Sequence, residues 1–332
     1  MLWVLDKDED HIYTINKPKQ AGWLQPPIKG LYLGKLRVVM QRFQWTSDYI
    51  AVDWGTTNRR AYRIANGVVN DSFEDDRGVL SVEKVGFDDA VADIHVRLGK
   101  CPMLLAGMIG SNKGWHHVPY IIAPAGASEL AAGIVWMNET TGIVPGVCQL
   151  SEPDVMRGEE VQALGAVAAG SVPPDSLLCL PGTHSKWVRM SGGRIDSLHS
   201  AMTGEIFSLL KEHSILGDQL QNAAQVGYDF ERGVVDALGG APLLSALFAV
   251  RARHLLDKSS ADDASYVSGL LIGTDVAAAL ARQDVAHIMF IGQPNLCALY
   301  AEAAHLEGKD YSVIDGKTAF VKGMSILMEG LG

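Results

Sequence analysis

The stretch Tyr49-Ile-Ala-Val-Asp-Trp-Gly-Thr-Thr-Asn-Arg-Arg60 decides the fold of this chain. Its apolar residues 49–52 predict a buried strand that carries Asp53 into a tight polar turn, and residues 59–64 predict the returning strand. Such a turn can bind phosphate, because glycine admits close approach, hydroxyl and backbone N–H groups donate hydrogen bonds, and the acid can hold a metal ion through water. An ordinary β-hairpin looks the same when it occurs alone.

A second stretch, Leu177-Leu-Cys-Leu-Pro-Gly-Thr-His-Ser-Lys-Trp-Val-Arg189, repeats this arrangement. Each turn follows an apolar strand and precedes a second strand, but Asp53 aligns with Leu180, so only the first turn carries the acid. The duplication predicts two halves that bind one polyphosphate, with a single Mg²⁺ held near Asp53. The predicted phosphate-binding residues are Gly55, Thr56, Thr57, Asn58, Gly182, Thr183, His184, Ser185 and Lys186.

Composition indicates a soluble protein that acts on small molecules. The 332 residues are 48% apolar and 20% charged, which suits two globular domains. A formal net charge of -10 argues against nucleic acid or an anionic membrane as a main partner. The four cysteines are widely spaced, as expected for reduced thiols in the cytoplasm. The sequence contains no run of about 18 apolar residues, so no membrane span is predicted.

Three regions are predicted along the chain. Residues 1–47 mix prolines and aromatics without periodicity and are expected to be an appended or poorly ordered extension. Acidic residues follow the first five, unlike a signal peptide, and Met40 is a candidate natural start. Residues 48–170 and 171–332 are predicted to form the N-terminal and C-terminal domains.

Helices and strands alternate after residue 48, which predicts an α/β fold. The expected helices cover residues 87–98, 128–136, 155–169, 205–212, 242–256, 265–281 and 296–306, with a last one from 318. The expected further strands cover residues 102–106, 141–147, 287–291 and 311–314. In the segment 155–169, Gly158 and Gly165 predict a helix packed closely against another where the halves join.

Five segments, taken in order, resemble the 2-dehydro-3-deoxygalactonokinase family of the sugar kinase, heat-shock 70 and actin superfamily. They are Val52-Asp-Trp-Gly-Thr-Thr-Asn58, Ala106-Gly-Met-Ile-Gly-Ser-Asn112, Met156-Arg-Gly-Glu-Glu160, Leu180-Pro-Gly-Thr-His-Ser-Lys-Trp-Val188 and Met202-Thr-Gly-Glu205. The resemblance implies two duplicated RNase H-like (actin-like ATPase) domains, with mixed sheets flanked by helices and a cleft between them. It also implies transfer of the γ-phosphoryl group of ATP, with Mg²⁺, to the C6 hydroxyl of 2-dehydro-3-deoxy-D-galactonate in galactonate breakdown.

The loop over residues 107–117 is the predicted sugar-acid site, because it is rich in small and polar groups and follows a core strand. Ser111 and Asn112 are expected to bind hydroxyls, Lys113 the carboxylate, and Trp115 a sugar face. The alternative is a solvated loop with Trp115 in the core. The predicted substrate-binding residues are Gly107, Met108, Ile109, Gly110, Ser111, Asn112, Lys113, Trp115 and Glu205.

The adenosine site is predicted where a strand ends at Gly292 and a helix opens with Pro294, since glycine lets a base or ribose approach the backbone. The same residues are also typical of a capped helix start that binds no ligand. The predicted adenosine-binding residues are Gly269, Gly273, Gly292 and Pro294.

Catalysis is assigned to Asp53 together with Glu159 or Glu160. Neighbouring residues on a helix point about 100° apart, so at most one of the two glutamates is expected to face the cleft, and Glu159 is slightly favoured. Lys186 and Arg59 follow the two turns and either add positive charge near phosphate or are solvated.

Two other functions stay open at this stage. A kinase of a related sugar or sugar acid would keep the same phosphate turns with a different substrate loop. A non-catalytic ATP-binding switch on the same fold would close on nucleotide without transferring phosphate. Homodimer formation and the choice between C4 epimers of the sugar acid also stay open.

Overall fold

The computed structural model describes residues 3–5, 12–14, 48–83 and 86–331. Residues 1–43 and 44–332 form two separate compact units. In the first unit, β1 (Trp3–Leu5) pairs antiparallel with β2 (Ile12–Thr14), a short hairpin that the sequence pattern did not predict. The rest of the predicted extension over residues 1–47, including Met40, lies outside the described residues.

The second unit is built from alternating strands and helices. The strands are β3 (Asp48–Trp54), β4 (Arg59–Ala65), β5 (Val68–Asp75), β6 (Met103–Gly107), β7 (Ile121–Ile122), β8 (Val135–Trp136), β9 (Thr141–Ile143), β10 (Val147–Gln149), β11 (Asp154–Met156), β12 (Ser176–Leu180), β13 (Ser185–Ser191), β14 (Arg194–Ala201), β15 (His287–Gly292) and β16 (Asp310–Asp315). The helices are α1 (Phe87–Leu98), α2 (Ala127–Ala132), α3 (Glu159–Ala168), α4 (Thr203–His213), α5 (Tyr228–Leu238), α6 (Leu243–Leu255), α7 (Asp263–Arg282), α8 (Pro294–Leu306) and α9 (Gly316–Glu329).

The two large sheets repeat one topology. The first has the order β5-β4-β3-β6-β9-β8 and the second the order β14-β13-β12-β15-β16. In each, three consecutive antiparallel strands are followed by parallel neighbours, β6 and β9 in the first sheet and β15 and β16 in the second. The outer antiparallel pairs even share a register irregularity, at Arg63/Ile64 and at Arg189/Met190. The predicted fold of two duplicated RNase H-like, actin-like ATPase domains is confirmed.

The central strands are apolar throughout because both of their faces are buried. In β3, Ile50 and Val52 pack against α1, while Tyr49 and Ala51 face the layer that contains α3 and α9. In β12, alternate residues face that same layer or the layer of α5, α7 and α8. The helices α3 and α9 therefore lie between the two sheets and join the halves.

The predicted helix over residues 155–169 begins later than expected. Residues 154–156 form β11, and α3 starts only at Glu159, because Gly158 has a φ of 114° that a right-handed helix cannot contain. The predicted close packing is confirmed at Gly165, where a Cβ atom would lie 1.9 Å from the carbonyl oxygen of Ala319 in α9. Gly323 meets α3 in the same way, with a Cβ position 2.0 Å from the carbonyl oxygen of Val161.

Other element boundaries also differ from the sequence predictions. The helix expected over residues 128–136 ends at Ala132, and the strand expected over 141–147 is divided between β9 and β10. The sequence pattern did not identify α5. Among the described residues, α7 is long and apolar enough to cross a membrane by composition, but 72% of its apolar window is buried inside the protein.

Candidate active site

A cavity of about 650 Å³ opens between the two repeated sheets. Its walls come from the ends of β3 and β12, the two polar turns, the start of the loop after β6, and the N-terminal ends of α3, α8 and α9. Those three helix ends present backbone N–H groups and the positive ends of their dipoles to one space. Such a space favours a polyanion.

The first turn is braced from behind by a neighbouring segment. Gly55 N donates to Asn58 O at 2.9 Å, and the N–H groups of residues 78, 79 and 80 donate to the carbonyl oxygens of residues 57, 55 and 56 at 3.0, 3.0 and 3.1 Å. The fit is so close that a Cβ atom at Gly78 would lie 2.3 Å from the carbonyl carbon of Thr57. Gly55 and Thr56 line the cavity, whereas Thr57 and Asn58 are exposed beside it.

The second turn is braced in the same way by the start of α4. Glu205 N donates to Thr183 O at 2.8 Å, and a Cβ atom at Gly204 would lie 2.4 Å from Gly182 O. Gly182, Thr183 and His184 line the cavity. The two turns are therefore equivalent rigid walls on opposite halves of the chain.

Asp275 fixes the second turn from inside α7, a role that the sequence analysis missed. Its buried carboxylate accepts hydrogen bonds from the hydroxyls of Ser185, Thr203 and Tyr300 at 2.5, 2.8 and 2.7 Å and from Trp187 Nε1 at 2.9 Å. Ser185 was predicted to bind phosphate, but its hydroxyl is turned into the core towards this carboxylate. An acid within an otherwise apolar helix was the available signal.

Asp53 lies at the end of β3 and lines the cavity. Burial raises the pKa of its carboxyl to about 6, and the charge of Glu159 adds to this, while the guanidinium of Arg60 opposes it. Arg60 Nη1 lies 3.5 Å from Asp53 Oδ2, and its Nε donates to Glu74 Oε1 at 2.9 Å. Around Asp53, acidic groups therefore outnumber basic ones, with Glu74 and Glu159 against Arg60.

The two candidate glutamates occupy different environments. Glu159 lines the cavity, and its Oε2 accepts from the backbone N–H of Arg157 at 3.0 Å. Glu160 is fully buried, and both of its carboxyl oxygens accept from Gly158 N, at 2.9 and 2.7 Å. Burial, together with the charge of Glu159, raises the pKa of Glu160 to about 8. Of the two, Glu159 faces the cavity.

The basic residues that follow the turns are internal braces. Arg59 is fully buried and forms ion pairs with Asp75 and Asp93 at 2.7 and 2.9 Å. Lys186 is buried too, and its Nζ donates to Val155 O at 2.9 Å and to Ser200 Oγ at 2.7 Å. Neither residue lines the cavity, so the structure does not bring the predicted cation Lys186 to the phosphate site.

The predicted sugar-acid loop reaches the cavity only at its start. Gly107 and Met108 line the cavity, while Ile109, Gly110 and Ser111 are buried in a short 3-10 turn and the segment that follows it. Asn112 and Lys113 are exposed and do not line the cavity, and half-buried Trp115 packs on the apolar core, as the alternative interpretation held. Glu205 does not reach the cavity directly, but its Oε2 lies 2.5 Å from Nε2 of His184, which does.

The predicted adenosine residues divide into two pairs. Gly292 and Pro294 line the cavity where β15 leads into α8. Gly269 and Gly273 lie in α7 against α5, and a Cβ atom at Gly269 would lie 2.2 Å from Phe230 O. These two glycines allow close helix packing and are away from the cavity.

Comparison with known proteins gives one consistent result. The profile of the 2-keto-3-deoxy-galactonokinase family matches residues 53–327. The 2-dehydro-3-deoxygalactonokinase of Escherichia coli (strain K12) is 36% identical over 287 residues, covering 84% of this chain and 97% of the relative. A Rhizobium meliloti (strain 1021) protein named for the same activity is 36% identical over 296 residues, covering 83% of this chain and 95% of its own length.

The chain belongs to the 2-keto-3-deoxy-galactonokinase family. A crystal structure of a Sinorhizobium meliloti protein assigned as a 2-dehydro-3-deoxygalactonokinase matches it with a TM-score of 0.78 and 33% identity. The match covers 84% of this chain and 97% of that structure. The family resemblance read from five short segments is thereby confirmed.

In this member of the 2-keto-3-deoxy-galactonokinase family, three cations in the cavity had no role in the sequence analysis: Arg60 beside Asp53, and two others. Arg157 and Lys317 both line it, at the approaches to α3 and α9. Arg157 stands inside the quoted segment Met156-Arg-Gly-Glu-Glu160, so its position in a family segment was the signal. Within the described ranges, no cluster of three or more His, Cys, Asp or Glu side chains is placed to hold a metal ion by itself.

Proposed function

We propose that this chain is a 2-dehydro-3-deoxygalactonokinase that transfers the γ-phosphoryl group of ATP to the C6 hydroxyl of 2-dehydro-3-deoxy-D-galactonate. The products are 2-dehydro-3-deoxy-6-phosphogalactonate and ADP. The observation that carries this proposal is the pair of braced turns, 55–58 and 182–185, at one cavity in a chain of this family. We further propose that the enzyme acts in the cytoplasm on soluble substrates.

The two turns and the helix ends support a specific placement of ATP. The β- and γ-phosphates lie between Gly55-Thr56 and Gly182-Thr183, where backbone N–H groups and hydroxyls can donate to them. The adenosine lies towards Gly292 and Pro294. Because both turns are braced from behind, the donors are held in place before ATP arrives, which lowers the reorganisation needed at the transition state.

The acids of the cavity fit a magnesium ion bound with the nucleotide. Mg²⁺ in such sites is held by one or two carboxylates plus phosphates, and Asp53, with its raised pKa, lies among the acids Glu74, Glu159 and Asp315 in the same cavity. Asp53 would hold the ion, directly or through water. When bound, the ion neutralises charge on the phosphate oxygens.

Glu159 is the proposed general base. It faces the cavity from the first turn of α3, whereas Glu160 does not. As the C6 oxygen bonds to the γ-phosphorus and the bond to the β–γ bridging oxygen breaks, the hydroxyl proton passes to the carboxylate of Glu159. A loose transition state requires little proton transfer early, so orientation of the hydroxyl is the larger contribution.

The test is coupled ADP production with ATP and Mg²⁺, using the galactonate-derived acid, its gluconate epimer and a buffer blank. We expect strong turnover with the first acid, weak turnover with the epimer, and a loss of at least about 100-fold in kcat for Asp53→Ala. Equal ADP formation in the blank would identify an ATPase instead. ATP binding without any ADP formation would favour a non-catalytic nucleotide switch.

A further inference from the structure

His184 and Glu205 form a side-chain pair at the edge of the cavity. The distance from Nε2 of His184 to Oε2 of Glu205 is 2.5 Å, and His184 lines the cavity. A carboxylate can only accept hydrogen bonds, so Nε2 carries a hydrogen and donates it to Glu205. Nδ1, the other ring nitrogen, has no hydrogen-bond partner among the described residues. It is therefore available to a ligand.

Glu205 holds both the backbone and the side chain of the second turn. It lies in the first turn of α4, and its backbone N–H donates to Thr183 O at 2.8 Å. Its carboxylate accepts from the imidazole of the next residue, His184. These two contacts from one residue orient the imidazole ring relative to the turn that is proposed to bind phosphate.

The second turn has no other charge to offer a phosphate. The first turn follows Asp53, which is proposed to hold Mg²⁺, but the aligned position before the second turn is Leu180. Lys186 is buried, and its Nζ donates to other groups of the protein. Of residues 182–186, only His184 both lines the cavity and can carry a positive charge.

The position of the second turn selects the β-phosphate. A Cβ atom at Gly292 would lie 3.7 Å from the carbonyl oxygen of Pro181, so this turn lies beside the proposed adenosine end of the cavity. The acids proposed for the metal ion and the base, Asp53 and Glu159, affect each other through their charges and lie together at the reacting end. A β-phosphate between the two ends is the group that the second turn can reach.

We infer that His184 binds the β-phosphate of the nucleotide as an imidazolium, donating from Nε2 to Glu205 and from Nδ1 to a phosphate oxygen. This inference rests on the proposed function, because it assigns a nucleotide contact of the same reaction. A neutral ring with its hydrogen on Nε2 presents a lone pair at Nδ1, which cannot donate to phosphate. Nucleotide binding is therefore linked to proton uptake. Glu205 is a positioning residue that favours the protonated ring.

Other charged groups surround the same cavity. The acids are Asp53, Glu74, Glu159 and Asp315, and the basic residues are Arg60, Arg157 and Lys317. All of them are present in the natural chain and in variants at positions 184 and 205. A difference in proton uptake between these chains therefore isolates the contribution of the His184 and Glu205 pair.

The experiment measures ADP binding with Mg²⁺ by calorimetry from about pH 6.5 to about pH 8.5, in two buffers of different ionisation enthalpy. The buffer dependence of the heat gives the number of protons taken up. Over this range, we expect the natural chain to lose about tenfold more ADP affinity than His184→Gln, whose amide does not titrate. The natural chain should also take up more protons on binding.

Glu205→Gln tests the positioning role. The variant keeps the backbone bond to Thr183 O and the imidazole of His184, but it removes the carboxylate that favours the protonated ring. We expect its ADP affinity to begin falling at a lower pH than in the natural chain. Thermal unfolding checks that each variant is folded, and His184→Asn replaces His184→Gln if the latter does not fold.

His213→Gln is the matched control. His213 also lies next to a glutamate, with its Nε2 3.8 Å from Oε2 of Glu212, and it belongs to the same helix as Glu205. It is exposed at the far end of α4 and does not line the cavity. Its substitution should leave the ADP affinity and the proton uptake as they are in the natural chain.

Three results would overturn the inference. The natural chain and His184→Gln could show the same pH dependence and the same proton uptake, or Glu205→Gln could match the natural chain at every pH. AMP, which lacks the β-phosphate, could show the same difference between the chains as ADP does. A natural chain that binds no ADP at any pH would instead be a failure of the proposed function, and it is recognised before any variant is made.

Discussion

Charged residues near the cavity differ in whether the fold has already paired them. Arg59 and Lys186 follow the two turns in sequence, yet their donors are used within the protein, on the carboxylate of Asp75 and the carbonyl oxygen of Val155. Arg157 carries no such partner at two of its nitrogens. Sequence can show that a cation is present, but its pairing depends on residues far away in the chain, which is why Lys186 was favoured for phosphate and Arg157 received no role.

Glu160 makes folding stability depend on pH. The carboxyl titrates near 4.5 in the unfolded chain and near 8 in the folded one, so the folded state binds more protons between these values. Stability therefore falls as pH rises from about 4.5 to about 8. Glu160→Gln should remove this contribution. Its free energy of unfolding, relative to that of the natural chain, should therefore rise by on the order of 3 kcal/mol from pH 5.5 to pH 8.

Urea unfolding at pH 5.5 and 8 measures that difference. Glu139→Gln, at an exposed position, is the control and should follow the natural chain at both pH values. An equal loss of stability with pH in the natural chain and in Glu160→Gln would show that the buried carboxyl is not responsible.

At the scale of elements, the crossing of α3 and α9 depends on two glycines. Gly165 and Gly323 let the helix backbones touch, with Cβ positions within about 2 Å of carbonyl oxygens, namely 1.9 and 2.0 Å. Backbone atoms cannot move aside as a flexible side chain can. Gly165→Ala should therefore destabilise the fold by about 3 kcal/mol, at the upper end of the range for overpacking.

Thermal or urea unfolding of Gly165→Ala measures this effect, and Gly330→Ala is the control at the end of α9. A Cβ atom at Gly330 meets only ordinary contacts, the nearest at 3.4 Å, so its effect should stay within about 0.5 kcal/mol. If Gly165→Ala were as stable as Gly330→Ala, the helices would have room to separate and close packing would not hold the halves together.

The repeated strands could be predicted from sequence because apolar runs and polar turns are local signals. The boundaries around Gly158 could not be predicted, since its sequence context fits a helix until its φ of 114° is known.

The role of Gly269 and Gly273 could not be predicted from sequence either. A glycine can allow the close approach of a ligand or of a neighbouring helix, and only the packing of α7 on α5 distinguishes the two uses.

At the scale of the molecule, the catalytic body is the unit over residues 44–332. The described residues that line the cavity all belong to it, and the family profile begins at residue 53. A chain that starts at Met40 should therefore fold and keep kcat/KM within about twofold of the full chain, since it keeps the described cavity residues and the whole span of the family profile. Side-by-side melting curves and ADP assays of the two chains measure this.

A loss of turnover or of cooperative unfolding in the shorter chain would assign residues 1–39 a part in the enzyme. Addition of an unrelated tag of equal length to the shorter chain is the control for solubility alone. Restored activity with the tag would then point to solubility and not to a specific contact.

The position of α9 has a consequence for how the protein is made. Its Phe320 packs beside Tyr62, and its Ser325 lies 3.0 Å from the hydroxyl of Tyr49, although these partners are among the first residues of the catalytic body. A ribosome releases the chain from the N-terminal end at a limited rate, so α9 emerges after every other described helix and strand. Until α9 has been synthesised, the early strands have one face uncovered. A nascent chain therefore has no complete cleft for ATP before that point.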